Sequence, residues 1–170
     1  MRHHLVRVGA LGHVGRFTAV DAVAYPRGAR VILRTSRGLE TGEVLGAAEA
    51  PGRGESDGSL LRGMTIEDQL LEARLDKNRH AAFAACAERI REIGASATLV
   101  DVEHLFDGQS LYFHFLGPPP RELEPLLAEL ADRYEAVAQI GKFADTLSEG
   151  CGPGCGTAEA AGVRRSRRRQ

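Results

Sequence analysis

The segment Gly150-Cys151-Gly152-Pro153-Gly154-Cys155-Gly156 is the densest concentration of chemistry in this 170-residue chain. Its glycines let the backbone wrap closely around an ion, and thiolates at Cys151 and Cys155 can reach one metal. A structural zinc takes four protein ligands and an iron–sulfur cluster takes four thiolates. Two cysteines therefore imply either a site shared with another chain or ordinary thiols. The third cysteine, Cys86, falls on an apolar helical stripe, where a free thiol behaves as a small hydrophobe. A second set is Asp101, Glu103, Tyr112 and His114, which the pattern of residues 97–116 places on one face of a hairpin. A third is Arg164, Arg165, Arg167, Arg168 and Arg169. These would contact phosphate and lose affinity steeply with salt, and without interleaved aromatics they form no stacking platform for bases. No histidine is spaced with a cysteine or carboxylate as in a metal site or a triad. The chain also lacks a phosphate-binding glycine loop, a dinucleotide fingerprint, a nucleophile elbow and a zinc-protease motif. The expectation is that it is not an enzyme.

The elements that must position these groups are legible in part. Residues 97–116 read as two strands joined at Asp107-Gly108, because this pair tolerates the positive φ of a tight hairpin turn. A two-residue turn sets Phe106 against Gln109, Val102 against Phe113 and Val100 against Phe115, all on a core face. The other face then carries Asp101 opposite His114 and Glu103 opposite Tyr112. That face is either solvated or meets a partner, and the Asp101–His114 pair is a candidate proton-sensitive pair. His104 falls on the apolar face near the turn, as a structural histidine.

Ahead of the hairpin, residues 14–20, 30–35, 39–45 and 59–62 are short β-like runs separated by glycine, which suggests a small open barrel or a highly curved sheet. Residues 47–58 are loop-like in composition. A long helix follows. Thr65 is its N-cap, Asp68 its reciprocal capping carboxylate and Gly94 its stop. Leu71, Leu75, Ala82, Cys86, Ile90 and Ile93 form its buried stripe. After Pro118-Pro119-Pro120, a second helix buries Leu123, Leu126, Leu127, Leu130 and Tyr134, with Pro125 in its first turn. Residues 137–140 read as a last strand ended by Gly141. The expected fold class is α+β. A barrel-like subdomain (5–63, with the loop 47–58 flexible) precedes an α-β-β-α-β layer (64–141) with two helices on a mainly antiparallel sheet. A glycine-, cysteine- and arginine-rich tail (142–170) is expected to be disordered.

Composition narrows the class. Hydrophobic residues make up 43% of the chain, enough for a proper core. No stretch has the 18 or so apolar residues of a membrane span, and residues 1–7 lack the apolar run of a secretory signal. The chain is expected to be cytoplasmic. Of its 22 basic side chains five lie in residues 164–169, against 23 acidic ones, so the body carries net −6 while the tail attracts polyanions.

Three stretches give the chain its resemblance to a known family. Residues 34–46 (Arg-Thr-Ser-Arg-Gly-Leu-Glu-Thr-Gly-Glu-Val-Leu-Gly) resemble its "ERGLELGEVVG" segment. Residues 99–115, through Leu-Val-Asp-Val-Glu and Phe-Asp-Gly, are similar to its "LVDVEYTFDGSKLIFYF". Arg121-Glu122-Leu123, Leu130-Ala131 and Gln139-Ile140-Gly141 resemble its "FRELVRDLA…RQIG". By these the chain is identified as a member of the PSP-one C-terminal domain family, whose bacterial members include YaaT-like (RicT-like) cell-fate regulators, RNase Y specificity factors. The resemblance implies a cytoplasmic regulatory adaptor that binds other small regulatory proteins and an endoribonuclease in RNA processing. In some members the complex carries iron–sulfur clusters. The expected partner surface is Asp101, Glu103, Tyr112, His114 and Gln139. Residues 149–156 match the family's "GGIGPCGRPLCC" block only with one inserted residue and without its Cys-Cys pair, so a cluster here would be shared with partners.

Overall fold

The structure, a computed structural model, describes residues 1–49 and 56–141. Five strands close a barrel: β1 (Arg2–Val8), β2 (His13–Ala19), β3 (Arg30–Arg34), β4 (Leu39–Ala48) and β5 (Gly58–Gly63), in the order β1-β2-β5-β3-β4 with β4 returning to β1. The curved sheet expected from the β-like runs is thus a closed barrel. Its first strand begins at Arg2, ahead of the expected start at residue 5. β1 is hard to read because Arg2-His3-His4 sits in its first half. Inward residues alternate along each strand, so Val6, Phe17, Val31, Leu33, Val44 and Leu60 fill the interior at 0–1% exposure. Part of the expected flexible loop, residues 50–55, lies outside the described residues.

The long helix α1 (Ile66–Ile93) has the capping expected of it. Thr65 accepts from the Asp68 N–H, the Asp68 carboxylate accepts from the Thr65 N–H, and Gly94 closes the helix at φ 64°. Leu75, Ala82, Cys86 and Ile90 are buried. Leu71 and Ile93, expected at the ends of the same stripe, are 39% and 42% exposed, because the helix outruns its apolar support at both ends. Its two halves serve different units. Near the N-terminus, Asp68 pairs with Arg62 of β5, and Glu72 accepts from Arg30 and from Thr41 (2.7 Å) of the barrel. The C-terminal half packs Ala82, Cys86 and Ile90 into the core of a second sheet.

That sheet holds β6 (Leu99–His104), β7 (Ser110–Phe115) and β8 (Val137–Gly141) in the order β6-β7-β8. A 3-10 turn (Arg121–Leu123) leads into α2 (Glu124–Asp132), with Pro125 in the first turn where its missing N–H costs nothing. Leu123, Leu127 and Leu130 are buried, while Leu126 and Tyr134 pack on the core half-buried. β6 and β7 are antiparallel and β8 joins β7 in parallel, because the chain crosses the sheet face through α2 before returning. The hairpin register holds at three points: Val102 faces Phe113, Asp101 faces His114 and Glu103 faces Tyr112. It fails at Val100. A bulge between Leu99 and Asp101 places Leu99, not Val100, opposite Phe115, and Val100 is 37% exposed.

Candidate functional site

The polar face of the β6–β7 hairpin does not stand in solvent. The chain's own barrel covers it, leaving Glu103 9% and His114 4% exposed. Two backbone-anchored contacts dock the hairpin on β4: the Phe106 N–H donates to the Leu39 carbonyl (2.9 Å), and the Leu39 N–H donates to Asp107 Oδ2 (3.2 Å). Between the units lies Arg37. Its Nη1 donates to Glu103 Oε2 at 2.7 Å and Nη2 to Oε1 at 3.1 Å, a bidentate fork. Nε donates to Glu40 Oε1 at 3.1 Å, and Nη2 also pairs with Glu40 Oε2. The guanidinium carbon lies 4.9 Å from the centroid of the Tyr112 ring. The Thr35 hydroxyl donates to Glu40 (2.5 Å) and accepts from the Arg37 N–H (3.1 Å). The Ala10 N–H donates to Glu103 Oε1 at 3.0 Å.

His114 completes the cluster, with Nε2 3.2 Å from Glu103 Oε2. A carboxylate only accepts, so Nε2 carries the proton, and the buried Nδ1 has no partner among the described residues. That nitrogen faces Gly141, the last residue of β8. A Cβ at Gly141 would overlap the imidazole ring. Gly141→Ala should therefore lower stability by about 2 kcal/mol, as overpacking does where neither partner can yield. Thermal unfolding of the variant checks it.

Burial pushes the Glu103 carboxyl up, but its hydrogen bonds with His114 and Arg37, together with their charges, pull it down from 4.5 to about 2. A depressed carboxylate stabilises the fold fully above its unfolded pKa. Its contribution, on the order of 3 kcal/mol, is lost as pH falls from 4.5 through about 2. Urea unfolding of the wild type should weaken steeply over that window, and Glu103→Gln should flatten the curve. Burial works against the Arg37 charge, yet Glu103 and Glu40 together raise its pKa further.

The expected site residues separate on the structure. Glu103, Tyr112 and His114 meet at the joint. Asp101 faces His114 in register but pairs with Arg79 (3.1 Å) and caps the Val102 N–H (2.8 Å), so the expected Asp101–His114 pair is replaced by Glu103–His114. Gln139 is exposed at the sheet edge. His104 is structural, with Nε2 3.1 Å from the Gly108 carbonyl oxygen. Cys151, Cys155 and the arginines 164, 165, 167, 168 and 169 lie outside the described residues. Sequence reasoning missed Arg37, Glu40 and Asp107 as parts of a site. The available signal was a carboxylate at an inward strand position, Glu40, three residues after Arg37.

Two clefts flank the joint. One of about 640 Å³ is lined by Arg37, Tyr112, His114, Gln139 and His13 among others. The other, of about 310 Å³ between barrel and α1, is lined by ion pairs, Arg7 with Glu43 (2.6 Å) and Arg79 with Asp101. Among the described residues no group of three or more His, Cys, Asp or Glu is placed to hold a metal. Cys86 is sealed in the core, where burial pushes its thiol up to about 11, so it does not fit an iron–sulfur ligand. A cluster would depend on Cys151, Cys155 and ligands from elsewhere. No helix is long and apolar enough to cross a membrane among the described residues.

Fold and joint together define a two-part α+β protein, a closed barrel latched to an α-β-β-α-β layer through one buried ionic cluster. Residues 58–139 match the family described as the PSP1 C-terminal conserved region, which runs from the last barrel strand to the middle of β8. Through this region, just under half of its length, the chain is similar to the PSP1 family. It is 28% identical over 117 residues to the Stage 0 sporulation protein YaaT of Bacillus subtilis (strain 168). That match covers 65% of this chain and 42% of the relative, so the chain spans less than half the length of the protein it matches. No solved structure matches. Glu103, Asp107 and His114 lie inside the family region. Arg37, which holds Glu103, and Leu39, which holds Asp107, lie before it.

Proposed function

We propose that this chain is a non-catalytic, cytoplasmic regulatory adaptor. In this reading it associates with small partner proteins and modulates RNase Y-dependent mRNA processing. One observation carries it. Charged residues of two family-like stretches are used on each other, Arg37 with both Glu40 and Glu103, while the Leu39 N–H donates to Asp107. They hold a shape rather than turning a reactive group toward a substrate. The likeness to the family and to a sporulation protein supports a regulatory role. Any iron–sulfur cluster would sit among this chain's Cys151 and Cys155 and its partners. The arginines at 164–169 would add salt-sensitive contact with RNA phosphates.

Affinity purification from the native cells, anaerobically and at moderate salt, tests the proposal together with transcript-end mapping in a deletion strain. Stoichiometric small-protein partners and altered RNase Y processing sites are expected. Recovery of no protein partner and an unchanged set of transcript ends would sink it.

A further inference from the structure

β8 is the outer strand of its sheet. Among the described residues it pairs with β7, and nothing pairs with its other edge. The Val137 N–H donates to the Gln109 carbonyl at 2.8 Å. In the alternation of a parallel ladder, Val137, Gln139 and Gly141 thus turn their peptide groups toward β7. Ala138 and Ile140 turn both N–H and C=O toward the open edge. Natural sheets blunt such an edge with charge, proline or a bulge. β8 reads Val-Ala-Gln-Ile-Gly, with no charge or proline and no register shift against β7. Val137 is 62% and Ile140 45% exposed.

We propose that this edge pairs with the same edge of a second copy of the chain, antiparallel about a two-fold axis at Gln139. A two-fold axis normal to a sheet makes one residue face itself, and hydrogen-bonded pairs need outward-turned residues on both strands. Centring on Gln139 sets Ala138 against Ile140 of the second copy, and Ile140 against its Ala138. Both outward residues of each strand are then used. The side chains fit this register. Ile140 lies beside an alanine, and Val137 lies opposite Gly141 of the second copy. The two Gln139 amides meet, each able to donate and accept. No charge meets its like, and the two three-stranded sheets become one of six strands. A five-residue edge buries less than the roughly 1,200 Å² of a standard interface, so the dimer is weak and concentration-dependent.

Sedimentation velocity of the full chain over a hundredfold concentration series tests this. The wild type should move from monomer to dimer. Ile140→Lys should weaken the dimer at least tenfold while leaving the thermal midpoint unchanged, since that side chain is about half exposed. In a Cys151→Ser, Cys155→Ser background, Gln139→Cys should give a disulfide-linked dimer on mild oxidation and Val137→Cys should not. A wild type that stays monomeric throughout overturns the proposal, even if another protein binds the same edge. So does a dimer that Ile140→Lys leaves intact and Gln139→Cys fails to trap.

Discussion

Arg37→Ala is expected to lower the stability of the chain by about 3 kcal/mol, because removing one partner of a buried pair leaves the other charge uncompensated. The cluster holds one guanidinium between two carboxylates whose side chains are only 4% (Glu40) and 12% (Glu103) exposed. With Arg37 gone, two facing carboxylates keep only His114 as a possible cation. The value sits at the low end of the usual range because the guanidinium itself is 30% exposed and some water can replace it. Urea unfolding should show a lower midpoint at an unchanged slope, since the surface exposed on unfolding is the same. Three companion results follow from the charge count. Glu103→Gln alone should cost no more than about 3 kcal/mol, the contribution of the ionised carboxylate, because it leaves a balanced Arg37–Glu40 pair. Combined with Arg37→Ala it should recover part of the loss. The Arg37→Ala deficit should also shrink as pH falls below about 4.5, where the stranded carboxylates bind protons in the folded state. A deficit that stays constant with pH would show that Arg37 acts through packing on Tyr112 instead.

Gly58→Ala is expected to cost more than about 3 kcal/mol, or to prevent folding at 37 °C. Gly58 opens β5 at φ +151°, a backbone conformation that side-chain-bearing residues rarely adopt. A Cβ there would overlap the carbonyl oxygen of Arg34 and approach the Phe17 ring at 3.3 Å. Neither can yield cheaply. Arg34 ends β3, paired with Ser59 of β5, and Phe17 fills the barrel at 1% exposure. The strain combines a disfavoured φ with a backbone clash, two of the named routes to large destabilisation. It also reaches the joint, because Arg34 directly precedes Thr35 and lies three residues before Arg37. Circular dichroism and thermal unfolding read the fold. The near-ultraviolet signal of Tyr112, under the Arg37 guanidinium, reads the joint. A variant as stable as the wild type would mean that the β3–β5 closure is looser than the packing indicates.

Both predictions concern contacts between residues far apart in the chain, and this separates what could be read early from what could not. The α1 caps at Thr65, Asp68 and Gly94 and the Asp107-Gly108 turn were legible, because each is decided by torsion preferences and hydrogen bonds within a few residues. The alternation of residues 102–104 and 111–115 likewise marked a dry face and a polar face. What would cover the polar face was not legible. Arg37 and Glu103 are 66 positions apart, and nothing local to either announces the other.

The amino-acid sequence by itself determined the α+β class, the limits of α1, the hairpin and the family likeness, since periodicity, capping and turn chemistry are short-range and additive; it set α2 too long, through Tyr134, where the helix ends at Asp132. Tertiary structure alone decided that Arg2–Val8 closes the barrel, that Val100 bulges out, that β8 enters parallel and that Glu103 pairs with Arg37 and His114 rather than with solvent. Those outcomes depend on which distant surfaces are removed from water together. Burial and charge compensation are properties of the assembled pair of units, not of any one segment.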